Sequence, residues 1–212
     1  MSLEFLAVSH FFESGQMILQ DVNFKMERGD LVKIGGSNGA GKTTFLRIAS
    51  SHLQPRQGLV NIDGLSFQKS PDLYRDKISW LHSGGDGFFP RLTGEENLRL
   101  FFHYRSPQMD LKELIRQWEL LPVFKKTLKT QLYLCSSGMK QILSLFRSLE
   151  TPSDWILLDE PCRSLDAEAV AFVEERLHKA LPSRGLLIVS HSKDFAKNIV
   201  TREYRIADTK FF

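Results

Sequence analysis

Gly36-Ser37-Asn38-Gly39-Ala40-Gly41-Lys42-Thr43 decides the reading of this chain. The run fits G-x-x-x-x-G-K-[ST] at every fixed position, between an apolar strand, Leu31 to Ile34, and a helical stretch, Lys42 to Ser51. Glycines let backbone N–H groups turn inward around phosphate oxygens, and the helix N-terminus adds its partial positive charge. Lys42 is expected to reach the β- and γ-phosphates of a nucleotide, with the Thr43 hydroxyl on Mg²⁺. Ser37, Asn38, Gly39, Ala40, Gly41, Lys42, Thr43 and Thr44 are the candidate phosphate-binding residues.

Such a site needs a further acidic group for the metal. Trp155-Ile156-Leu157-Leu158-Asp159-Glu160 supplies it, since an apolar strand delivers Asp159 at its C-terminal end, the rim where α/β folds bind ligands. Asp159 is expected to hold Mg²⁺ and Glu160 to polarise the attacking water. Outward from these two segments, Leu3 to Ser9, Leu19 to Met26, Leu59 to Ile62, Ile78 to Leu81 and Leu186 to Ser190 read as strands. Asp63-Gly64 signals a hairpin, and Ser70-Pro71 a helix start. Thr93 with Glu96 forms a capping box. Ala167 to Leu181 and Ser192 to Asn198 read as helices. The predicted fold class is α/β with a mainly parallel sheet, and a helical subdomain, roughly 88–150, inserted in a single domain over 1–212.

Composition agrees with a globular chain. The 212 residues are 42% hydrophobic and 25% charged, which excludes disordered and fibrous classes. A net charge of +3, from 28 Lys+Arg and 25 Asp+Glu, does not call for nucleic acid. Two cysteines, Cys135 and Cys162, make no disulfide framework and suit a reducing compartment. The N-terminus shows no signal peptide, and no stretch nears the roughly 20 apolar residues of a membrane span.

Taken together, these motifs resemble the ATP-binding-cassette (ABC) ATPases, the nucleotide-binding subunits of ABC transporters. The resemblance covers the whole chain in the family's motif order, and it implies a P-loop ABC-ATPase fold with an antiparallel β subdomain. Val8-Ser9-His10-Phe11-Phe12 is similar to the family's adenine-stacking segment, with Phe12 in register and Phe11 as the alternative. Cys135-Ser136-Ser137-Gly138-Met139-Lys140-Gln141 resembles the family signature, LSGGQ, and matches it at Ser136 and Gly138. The resemblance implies that these two residues face the γ-phosphate held by another subunit. Ser164-Leu165-Asp166 looks like the D-loop at the dimer interface, and Asp166 is also a helix N-cap. Ile188-Val189-Ser190-His191 looks like the strand that ends in the switch histidine.

One segment departs from the pattern. The family places a Gln two residues after the strand corresponding to Ile78–Leu81, where it contacts Mg²⁺ and its loop signals to the membrane subunit. Counting from the strand gives Ser83 at that position, and counting back from Pro90 gives Gly84; Asp86 is an alternative metal contact. The resemblance implies an ATP- and Mg²⁺-dependent ATPase, with Glu160, His191 and Lys42 as catalytic groups. It implies a homodimer or a heterodimer with another ABC ATPase, a transmembrane permease partner and a place on the cytoplasmic face of the membrane. The chain ends soon after His191, so no regulatory extension is expected. Two alternatives stand beside this reading: a degenerate cassette that binds ATP with little hydrolysis, favoured by the altered signature, and a soluble ABC protein that works outside transport.

Overall fold

The computed structural model describes residues 1–82 and 87–212. The strand that feeds the glycine loop, β3 (Leu31–Gly36), lies inside a six-stranded sheet. On one side it pairs with β8 (Gly185–Val189), then β7 (Trp155–Asp159) and β6 (Ile78–Leu81). On the other it pairs with β9 (Arg202–Ala207), and β10 (Lys210–Phe211) closes that edge. Every pairing is parallel except that of β10 with β9. The parallel arrangement follows from the sequence pattern, because β7 and β8 are apolar runs buried at every position. Ile156, Leu158, Leu186 and Ile188 enter one core, while Trp155, Leu157, Leu187 and Val189 enter the core on the opposite face.

A second sheet is antiparallel, in the order β2 (Met17–Glu27), β1 (Ser2–Phe11), β4 (Gln57–Ile62) and β5 (Leu65–Ser66). Asp63 and Gly64 turn the last hairpin with φ of 52° and 79°, the left-handed pair a tight two-residue turn needs. Phe5 of this sheet stacks on Phe45 at 4.4 Å between centroids. Phe45 belongs to α1 (Lys42–Ala49), the helix that opens on the glycine loop. Phe24 of β2 meets the same ring edge-on at 5.3 Å, so the antiparallel sheet braces the loop through aromatic contacts in a shared core.

Between β6 and β7 the chain is helical where the sequence predicts it. After α2 (Pro71–Asp76) and β6 come α3 (Gly94–Arg105), α4 (Leu111–Trp118), α5 (Pro122–Leu128) and α6 (Ser137–Glu150), and α7 (Ala167–Ala180) follows β7. Thr93 makes both bonds of its capping box with Glu96. Ser70 precedes Pro71 at the start of α2 but makes no side-chain cap bond.

The expected helix over Ser192–Asn198 is absent; that segment is a series of turns. Ala196 sits at φ 59°, which breaks a right-handed helix, and the carbonyls of Lys193 and Phe195 accept bonds from the buried Lys33 ammonium at 3.1 and 3.2 Å. Strands β9 and β10 had no sequence expectation. Arg202-Glu203-Tyr204-Arg205 is a polar edge stretch, and its place comes from pairing with β3 rather than from its own apolarity.

Candidate nucleotide site

Parallel pairing brings the ends of β3, β7 and β8 to one rim, where Asp159 stands opposite Val189. A cleft of about 460 Å³ opens there. Asn38, Gly39, Gly41, Lys42, Thr43 and Thr44 line it from the loop, and Asp159, Glu160 and His191 from the strand ends. Phe12, Gln16 and Ile18, from the β1–β2 connection and the start of β2, complete the lining. The glycine loop requires its glycines. Gly41 has φ 105°, and a Cβ there would lie 2.9 Å from Ile18 Cγ2; at Gly36, with φ 145°, it would lie 2.6 Å from the Ile206 carbonyl oxygen.

Lys42 is 7% exposed, and its ammonium donates to the carbonyls of Gly36 and Ser37, both at 2.8 Å. Burial pushes its pKa below the ordinary lysine value, and the charges of Glu160 and Asp159 oppose that shift. Thr43 Oγ1 donates to Asp159 Oδ2 at 3.1 Å, so a hydroxyl and a carboxylate from segments 116 residues apart meet. Two hard oxygen donors at this spacing suit Mg²⁺, which keeps waters and takes phosphate oxygens for its remaining positions. Among the described residues no cluster of three or more His, Cys, Asp or Glu side chains forms a closed metal cage.

Glu160 is held in the left-handed region, φ 51°, with its N–H bonded to the Val189 carbonyl at 2.8 Å. A non-glycine residue there stores strain that the surrounding bonds sustain. Its Oε2 accepts the His191 N–H at 3.3 Å. Its Oε1 is buried, accepts no hydrogen bond among the described residues, and lies 3.5 Å from His191 Nε2. An acceptor in that state suits a water molecule. Phe12 is 41% exposed and meets His10 edge-to-face at 5.4 Å, whereas Phe11 lies under the Arg56 guanidinium at 5.7 Å. Phe12, the first residue past β1, thus lines the cleft while Phe11 does not.

Other predicted residues lie elsewhere. Ser37 contributes its carbonyl to Lys42, and neither Ser37 nor Ala40 lines the cleft. Ser136 and Gly138 lie outside it, at the start of α6; Ser136 Oγ accepts the Met139 N–H at 3.3 Å, and a Cβ on Gly138 would overlap the Ser164 carbonyl oxygen. Asp166 caps α7 by accepting the Ala169 N–H at 2.9 Å. Ser83, Gly84 and Asp86 lie outside the described residues. Sequence reasoning missed Gln141, whose amide donates to the carbonyls of Glu160 and Pro161 at 3.2 and 2.9 Å, and it missed Arg163, which lines the cleft. A cation three residues beyond Glu160 was the available signal for Arg163. Burial raises the Cys162 thiol to about 12 and also raises that of Cys135, so neither is a thiolate near neutrality.

The model of the family described as ABC transporter matches residues 19–163. The ABC transporter ATP-binding protein NatA of Bacillus subtilis is 35% identical over 149 residues, 70% of this chain and 61% of that protein. A probable amino-acid ABC transporter ATP-binding protein of Haemophilus influenzae is 30% identical over 207 residues, 92% of this chain and 80% of that one. An ATP-dependent lipid A-core flippase of Legionella pneumophila is 27% identical over 97% of this chain, which spans 37% of the flippase. The chain thus spans less than two thirds of NatA and of the flippase. Among solved structures, the ATP-binding subunit of an ABC transporter superposes with a TM-score of 0.86 at 26% identity, covering 99% of this chain and 88% of that one. A dimeric cassette, MJ0796, in a post-hydrolysis state bound to ADP and Pi gives 0.82 at 25% identity, covering 98% and 95%. With its phosphate loop, paired acidic strand end and two-sheet core in this arrangement, the chain belongs to the ABC transporter ATP-binding family and has the ABC-ATPase fold.

Proposed function

We propose that this chain, as a single ATPase domain over 1–212, is the ATP-binding and ATP-hydrolysing subunit of an ABC transporter. The observation that carries the reading is the convergence of Lys42, Thr43, Asp159, Glu160 and His191 on one cleft. When bound, Mg-ATP supplies the phosphoanhydride bond to be cut. Lys42 then turns from the Gly36 and Ser37 carbonyls toward the β- and γ-phosphates. Thr43 and Asp159 hold the metal. Glu160 orients and deprotonates water through Oε1, while His191 keeps the carboxylate in place and senses the terminal phosphate. Phe12 stacks on the base. The protein's share is positioning and charge stabilisation, with no covalent intermediate.

Ser136 and Gly138 are too far from this cleft to line it, which supports a head-to-tail dimer in which each signature faces the other copy's phosphates. The solved dimeric cassettes support a dimer. The partner copy is this chain or another ABC ATPase. A transmembrane permease at the cytoplasmic face is the further partner that the resemblance implies. Among the described residues no helix is long and apolar enough to cross a membrane. Phosphate release from Mg-ATP by the purified chain, with and without a co-purified permease, tests the reading. Binding without release in both cases identifies a degenerate cassette, and absence of Mg-ATP binding overturns the assignment.

A further inference from the structure

We propose that Arg163 is a second cation for the terminal phosphate group, supplied in cis by the turn that follows Glu160. The inference rests on the nucleotide reading of the cleft and adds a residue to it. The cleft is lined by the phosphate loop and by the strand-end group of Asp159, Glu160 and His191. Arg163 belongs to the latter, because its own N–H donates to the Glu160 carbonyl at 3.2 Å.

The turn is fixed on both sides. Gln141 holds the Glu160 and Pro161 carbonyls, and the next residue, Ser164, sits at φ 64° with Gly138 packed on its carbonyl. Asp166 then starts α7. The Arg163 backbone is thereby anchored beside the water-activating carboxylate, while its side chain is exposed and lines the cleft. The guanidinium makes no ion pair or ring contact among the described residues. Arg28, Arg105 and Arg202, by contrast, pair with Asp154, Asp76 and Asp30. Charge balance gives it a task. Asp159 and Glu160 place two carboxylates where a polyanion must sit, and of the lining residues besides Arg163, Lys42 alone is a fixed cation. A guanidinium can take two phosphate oxygens at once, and in that position it opposes the charge that grows on the terminal group. ADP lacks this group, so Arg163 discriminates triphosphate from diphosphate.

The test is calorimetric titration of the full chain with Mg²⁺ and either ADP or the non-hydrolysable triphosphate AMP-PNP, for wild type, Arg163→Ala and Arg163→Lys. Thermal melts confirm that each variant is folded. Loss of this charge-assisted contact in Arg163→Ala is expected to lower AMP-PNP affinity about tenfold or more and ADP affinity less than about twofold. Arg163→Lys should recover part of the loss, since it keeps the charge and forfeits the fork. Equal losses for both nucleotides, or no loss for either, overturn the proposal and leave the ATPase reading standing. Failure of the wild type to bind either nucleotide overturns both.

Discussion

The phosphate loop and the signature helix start are both N-terminal helix ends shaped to meet anions, yet their settings differ. The loop before α1 faces a cleft that the same chain completes with Asp159, Glu160 and His191. The start of α6 faces no such cleft; its Gly138 is spent on a close approach to Ser164, and its Gln141 on the carbonyls after β7. On the proposed reading, the first end is completed as a nucleotide site within one chain. The second is tied by the Gln141 amide to the turn after β7, and on the proposed reading it joins a site only with another copy. On that same reading, binding is a property of one subunit and hydrolysis a property of the pair.

Substitutions can break this division. Glu160→Gln should cost most, because it removes a general base worth about 100- to 10,000-fold in rate, while Mg-ATP binding stays intact. With hydrolysis blocked, size-exclusion chromatography should show a dimer with ATP and a monomer without it; phosphate release at wild-type rate would remove Glu160 from the chemistry. Lys42→Ala comes next, with nucleotide affinity reduced on the order of 100-fold by calorimetry, since a desolvated ammonium on phosphate is worth several charge-assisted bonds. Wild-type affinity in that variant would refute the cleft assignment.

Gly138→Ala sharpens the comparison. Its Cβ must displace the Ser164 carbonyl, an overpacking cost of about 1–3 kcal/mol that a urea melt can read. Nucleotide-dependent dimerisation should fail in this variant while binding by the single chain persists. If binding falls instead, the two helix ends are not separate in function. The smallest effect belongs to Phe12→Ala. Base stacking is worth about 1–3 kcal/mol per base, and at the lower end of that range affinity falls about tenfold or less. Phe11→Ala, under Arg56 and away from the cleft, should leave affinity unchanged.

Legibility followed locality. The phosphate loop, the acidic strand end, the capping box at Thr93 and the Asp63-Gly64 hairpin each carry their physics within a few consecutive residues, and each reads directly from sequence. Segments whose conformation depends on distant partners do not. Ser192–Asn198 has helical composition, but the Lys33 ammonium collects two of its carbonyls and Ala196 turns left-handed. β9 has a polar sequence, and its place as a strand comes from pairing with β3.

The sequence by itself determined a parallel α/β core, a phosphate loop and a carboxylate pair, because glycine spacing and buried apolar runs act on the chain locally. Only the tertiary structure decided that Phe12 rather than Phe11 reaches the cleft, that His191 meets Glu160, and that Gln141 and Arg163 join the catalytic turn. Those meetings depend on strand register and on packing between segments far apart in the chain, and such geometry leaves no periodic mark on the residues that take part in it.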